Sequence, residues 1–139
     1  MTRAITIKVG GVAGQHGDSL AFLARSAPPD TVIVHGGGNE VAEWSRRLGL
    51  EPRTHDGLRV TDPETLEVVV AVLAGLVNAR LVAALDVAGR RSVGLTGADG
   101  ALLRLRRRDS ALGEVGEVVG ADASLLETLI AAGALPVVA

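Results

Sequence analysis

The sequence predicts an α/β fold, a three-layer sandwich in which a largely parallel sheet lies between helices. Two observations carry this. Short β-branched or aliphatic runs alternate along the chain with segments of helical periodicity. Several of those runs are apolar at every position, as strands covered on both faces are, rather than alternating. Glycines also gather where the first two runs end, the place at which open parallel sheets receive ligands.

Ala4 to Val9 is short and rich in β-branched residues, and it runs into Gly10-Gly11, which reads as a strand ending in a turn. Asp18 or Ser19 is suited to cap a helix that continues to about Ser26, before Pro28-Pro29-Asp30 breaks it. Thr31 to Val34 is a continuous apolar strand that leads into His35-Gly36-Gly37-Gly38. Val41, Trp44 and Leu48 fall at helical spacing, so a helix is expected from Asn39 until Gly49 stops it. Residues 51–60 are polar and irregular. Thr61 or Asp62 then caps a long helix, with Pro63 and Glu64 in its first turn. That helix runs to about Val87, with Gly75 and Asn78 marking close packing or a bend. Ser92 to Leu95 and Leu135 to Val138 are buried strands, the alternating Leu102 to Arg106 and the shorter Val115 to Val119 are further strands, and Ser124 to Ala132 is a helix closed by Gly133.

Composition narrows the function. A length of 139 residues fits one domain with a single core. A formal charge of -2 leaves no electrostatic footprint for nucleic acid or an anionic membrane. The chain has no cysteine, which removes disulfides and thiolate metal sites. The apolar run from Val68 to Val77 is interrupted by Gly75 and is shorter than a bilayer span, so neither membrane nor nucleic acid is expected as a partner and the cytoplasm is the expected location. Of the fourteen basic residues only Lys8 is lysine, a compact point charge in a chain that otherwise uses arginine.

Lys8 stands beside Gly10 and Gly11 at a strand end. Glycine amides approach an anion closely, and a lysine there offsets charge on phosphoryl oxygens; the same glycines also serve as a plain turn, and both readings stand. No G-x-x-x-x-G-K-[ST] phosphate loop is present. Three successive glycines, Gly36, Gly37 and Gly38, sacrifice packing and add unfolded-state entropy. A nest of amides for carboxylate or phosphate would offset that loss, and a tight turn without a ligand is the other reading. Arg59, just before the long helix, has the fork geometry to take a carboxylate in two bonds, although a lone arginine is more often a surface residue. His16 and His55 lack metal-ligand spacing and no metal site is expected, Trp44 is read as core, and Arg104 to Arg108 is read as a solvated strand end.

Taken in order, Ile7-Lys8-Val9-Gly10-Gly11, Val32 to Gly38, Gly57-Leu58-Arg59-Val60-Thr61-Asp62, Leu73 to Asn78, Val93 to Gly100, Gly116-Glu117-Val118 and Gly133 to Val138 resemble acetylglutamate kinases of the amino-acid kinase family. The resemblance implies transfer of the ATP γ-phosphoryl group, with Mg2+, to the side-chain carboxylate of N-acetylglutamate in arginine biosynthesis, by a homodimer. It implies that Lys8 stabilises the transferring phosphoryl group, that Gly10, Gly11 and Gly36 hold phosphate, and that Gly37, Gly38 and Arg59 bind the acceptor substrate. Residues 1–139 would then be the N-terminal, acceptor-binding lobe, without the ATP-binding lobe and inactive alone. The last strand would leave an open sheet edge at Val138.

Two departures accompany the resemblance. Ala79 and Arg80 follow Asn78 where the family has lysine next, and the chain stops where that lobe ends. A kinase for carrier-bound aminoadipate or glutamate and a non-catalytic module that binds an acidic metabolite are the alternatives.

Overall fold

The computed structural model describes residues 4–10, 17–108 and 110–139. Strands β1 (Ile5–Val9), β2 (Thr31–His35), β5 (Ser92–Leu95) and β8 (Leu135–Val138) form one four-stranded sheet in the order β1-β2-β8-β5, with every pair parallel. Helices α1 (Gly17–Ser26), α2 (Gly38–Arg47), α3 (Pro63–Val70), α4 (Asn78–Val87) and α5 (Ser124–Ala131) surround it. Two antiparallel ribbons lie outside the sheet, β3 (Thr54–His55) with β4 (Leu58–Arg59), and β6 (Leu103–Arg107) with β7 (Gly116–Ala121).

The three layers follow from strand alternation. On one face Val9, Ile33, Leu135 and Val137 pack with Leu20 and Ala24 of α1 and with Leu81 and Leu85 of α4. On the other, Val32, Val34, Val138 and Leu95 meet Leu102, Leu103 and, from α5, Leu126 and Ile130. Central strands β2 and β8 are therefore apolar on both sides, the reason their sequences do not alternate. Leu85 is wholly buried, and truncating such a leucine to alanine costs about 2–5 kcal/mol. A third cluster, Val41, Val68 and Val72 with partly buried Trp44, joins α2 to α3. Trp44 also carries the Arg47 guanidinium 5.1 Å above its ring.

The expected open edge at Val138 does not exist. β8 enters between β2 and β5, where Val138 pairs with Val34 on one side and Leu95 on the other. The edges of the described sheet are β1 and β5.

Helix continues from Pro63 to Val87 and, by length and composition, is long and apolar enough to cross a membrane. Its inner residues Val68, Val72, Asn78, Leu81 and Leu85 are buried against the sheet and α2. Its start is set by Asp62, whose carboxylate accepts from Thr65 N–H at 2.8 Å. Between α3 and α4 the seven residues Ala71–Val77 form π-helical turns, a widened geometry found most often near functional sites. Gly75 lies in this stretch with no neighbour within 4 Å of where its Cβ would be, so its role is not close packing. Asn78 fills the packed position instead, and its Oδ1 occupies the place where a side chain on Gly94 would begin.

Residues 51–60, polar and irregular in sequence, hold the β3–β4 hairpin. Asp56 (φ 49°) and Gly57 (φ 76°) are both left-handed at its tip, as a two-residue hairpin turn requires.

Candidate active site

Strands β1 and β2 run side by side with Lys8 opposite Val34 and Val9 opposite His35, so both strands deliver their glycines to the same end of the sheet. There a cleft of about 250 Å³ is lined by Val9, Gly10, Gly36, Gly37, Gly38 and Glu40, with His35, Asn39, Val77 and Leu81 completing its wall. A Cβ at position 37 would stand 2.7 Å from Leu73 Cδ2 and 3.3 Å from Val77 Cγ2, so a larger residue there must displace those side chains. At Gly10, Gly36 and Gly38 nothing lies within 4 Å of a Cβ. Among the described residues nothing fills these open sides, which suits close approach of a ligand to the backbone. Gly37 is the residue before α2, whose start has no side-chain cap. As a glycine it brings no capping side chain of its own, and the positive end of the helix dipole faces the turn.

Arg59 reaches this turn from the hairpin. Its Nη2 donates to the Gly38 carbonyl oxygen at 3.2 Å. Its Nη1 is enclosed and has no hydrogen-bond partner among the described residues, an arrangement that is costly for a charged donor unless an acceptor arrives. The hairpin is tied to α3 by Arg53, whose Nη2 donates to Asp62 Oδ2 at 2.8 Å. The backbone and side-chain hydrogen bonds from Thr65, and then Arg53, hold the Asp62 carboxyl below its ordinary value of 3.8.

Lys8 is exposed and sits on the face of β1 opposite Val9, so it does not line the cleft wall formed by Val9 and Leu81. It borders the same strand end from the α5 side of the sheet. Gly11 and His16 lie outside the described residues. His55 is exposed, its Nε2 3.7 Å from Asp56 Oδ2. Ala79 and Arg80, at the departure from the family pattern, are on the exposed face of α4. In the arginine-rich ribbon, Arg106 pairs with Glu117 at 2.8 Å and Arg107 with Glu114.

Two residues to which the sequence reading gave no site role bear on the turn. His35 is 5% exposed and Asn78 4%. His35 Nδ1 donates to the Gly36 carbonyl oxygen at 3.0 Å, while Asn78 Nδ2 donates to His35 Nε2 at 2.9 Å and to the Val137 carbonyl oxygen at 3.0 Å. A buried polar residue within an apolar helix is the one signal in the sequence that marks Asn78.

Fold and site together define a doubly covered parallel sheet with an anion-suited glycine turn at its strand ends, a class that hosts many chemistries. The family is more specific. Residues 7–139 match the amino acid kinase family, and the chain belongs to it. The acetylglutamate kinase of Methanopyrus kandleri is 49% identical over 140 residues, covering 96% of this chain and 55% of that protein. The acetylglutamate kinase of Synechococcus sp. (strain RCC307) is 43% identical over 144 residues, covering 98% and 48%. The chain thus spans about half the length of the curated relatives it matches.

Among solved structures, smu.665 from Streptococcus mutans UA159 superimposes with a TM-score of 0.84 at 25% identity, over 97% of this chain and 57% of that one. N-acetylglutamate synthase from Neisseria gonorrhoeae, complexed with coenzyme A and N-acetyl-glutamate, gives 0.71 at 23% identity over 97% and 32%, a likeness of fold.

Proposed function

We propose that this chain is the acceptor-binding lobe of an acetylglutamate kinase, which transfers the γ-phosphoryl group of ATP to the side-chain carboxylate of N-acetylglutamate. The observation that carries the reading is Arg59. One of its guanidinium nitrogens is fixed on the glycine turn and the other is covered without an acceptor among the described residues, so a substrate carboxylate that displaces its cover would supply the missing partner. The second, reacting carboxylate then lies over Gly37 and Gly38. Gly10, Gly11 and Gly36 bear on the phosphate oxygens, and Lys8 offsets the charge that spreads over the transferring group.

Phosphoryl transfer depends mainly on holding donor and acceptor in line within a charged, water-poor site. This chain's residues supply the acceptor side of that arrangement, and the nucleotide is assigned to a second lobe. Among the described residues no three or more His, Asp or Glu side chains are grouped to hold a metal, so in this reading Mg2+ is carried in on the ATP phosphates. A soluble homodimer in the cytoplasm, working in arginine biosynthesis, completes the assignment.

The ion pairs of Arg106 and Arg107 with glutamates weigh against the carrier-protein alternative, because they spend the charge that a docking surface for an acidic carrier would need. The test is ADP release by the full-length protein with Mg-ATP and either N-acetylglutamate or N-acetylaminoadipate. Turnover with neither would remove the reading. A second assay with residues 1–139 alone addresses the lobe assignment: N-acetylglutamate should bind in calorimetry without ADP release, and turnover by this segment would overturn it.

A further inference from the structure

His35 and Lys8 stand on opposite faces of the sheet. His35 is in register with Val9, which packs toward α1 and α4, whereas Lys8 is in register with Val34, which packs toward α5. The Gly36 carbonyl is drawn to the His35 face by the Nδ1–H bond. The chain has no cis peptide among its described residues, and in a trans peptide N–H and C=O point in opposite directions. The Gly37 amide is therefore turned away from His35, toward the side from which Lys8 projects.

The ring itself is held. Asn78 spends both of its N–H donors, one on His35 Nε2 and one on the Val137 carbonyl, which assigns the His35 proton to Nδ1. Asn78 is locked in turn by burial and by the space that Gly94 leaves for its Oδ1. A chain of bonds thus runs from β8 through α4 to one peptide of the glycine turn.

We propose that His35 is a positioning residue for phosphoryl transfer: held by Asn78, it fixes the Gly36–Gly37 peptide so that the Gly37 amide donates to a phosphoryl or carboxylate oxygen on the Lys8 side. The proposal rests on the kinase reading above. His35 stands in the cleft wall, but the role proposed for it acts through the peptide, which it keeps from rotating so that the donor is in place before charge develops.

The test uses the full-length protein with His35→Leu, which removes the Nδ1–H donor, and His35→Asn, whose amide nitrogen replaces it at the same reach. With N-acetylglutamate and Mg-ATP, His35→Leu should lower kcat by about 10- to 100-fold, as loss of one aligned oxyanion donor does. KM for N-acetylglutamate should move by less than about 3-fold, and His35→Asn should recover most of the rate. Unchanged kcat per folded molecule in His35→Leu, or equal impairment in both variants, overturns the proposal. A second measurement requires neither folded variants nor turnover. In the wild-type protein, nitrogen-15 spectra should show a protected His35 Nδ1–H, and the Gly37 amide should shift on titration with inorganic phosphate. A proton on Nε2, or a Gly37 amide indifferent to phosphate, overturns it as well. Absence of wild-type turnover counts against the kinase reading and leaves these spectra to decide the role of His35.

Discussion

Arg59 Nη2 lies 3.2 Å from the Gly38 carbonyl oxygen, a bond that spans 21 residues and clamps the β3–β4 hairpin to the start of α2. It restrains the guanidinium, whose Nη1 is covered and has no hydrogen-bond partner among the described residues. In the proposed reading this restraint leaves little side-chain entropy to be lost when a carboxylate binds.

Replacement of Arg59 by leucine in the full-length protein should raise the dissociation constant for N-acetylglutamate by about 10- to 100-fold, the effect of a lost charge-assisted pair. ATP affinity should hardly change. Lysine at this position keeps charge without the fork and should fall between the two. Calorimetry with each ligand separates these effects, and an unchanged N-acetylglutamate constant in Arg59→Leu would remove Arg59 from the acceptor site.

Gly37 and Gly38 should respond in opposite ways to alanine. Gly38 is the first residue of α2 with open space around its missing Cβ, so Gly38→Ala should leave the melting temperature equal or higher, since alanine favours helix by up to about 1 kcal/mol. Activity should drop, because the added methyl enters the substrate's side of the turn. Gly37→Ala drives a methyl into Leu73 and Val77, and overpacking of this kind costs about 1–3 kcal/mol. Thermal melts paired with ADP-release assays check both. Full activity in a stable Gly38→Ala protein would contradict the placement of ligand over Gly38.

The layers of the fold were legible in the sequence because they depend on local pattern. The continuous apolar runs read at Thr31–Val34 and Leu135–Val138 became central strands, and Thr61-Asp62-Pro63 marked the start of the long helix. Strand order was not legible: nothing local places β8 between β2 and β5. The β3–β4 hairpin escaped notice because its strands are two residues long and too short for alternation to register, although Asp56-Gly57 is a strong hairpin signal. The glycine turns and Arg59 were readable one by one, yet the His35–Asn78 bond joins residues 43 apart, and only the folded chain brings them together.

Acid should weaken the fold partly through Asp62. Hydrogen bonds from Thr65 first, and from Arg53, stabilise its charged form and hold its folded pKa below 3.8. A carboxyl depressed in the folded state contributes stability that is complete above the unfolded value and is lost as pH falls through the folded one. The loss therefore falls below about pH 4, the ordinary carboxylate range. Asp99, held down by Thr96, and Asp122, held down by Ser124, act in the same direction. Urea midpoints measured from pH 6 to pH 2 should fall less steeply in Asp62→Asn than in wild type, with the difference confined to the acid end. Parallel curves would show that Asp62 titrates alike in both states.

In the proposed site Lys8 separates charge from geometry. It is exposed near the end of an edge strand of the described sheet, in register with Val34. In that reading its ammonium meets phosphoryl oxygens as a compact point charge. Arginine would carry the same charge farther out and spread it over a plane. Since only interactions that strengthen in the transition state raise kcat, Lys8→Arg should lower kcat by about 100-fold or more while KM for ATP and N-acetylglutamate moves far less. The melting temperature should be unchanged, because Lys8 buries little surface, and a fall in kcat then cannot be ascribed to unfolding. Steady-state kinetics over both substrates, with a thermal melt on the same preparation, makes the comparison. Near-normal turnover from Lys8→Arg would return Lys8 to the surface of the strand and assign the phosphoryl charge to another cation.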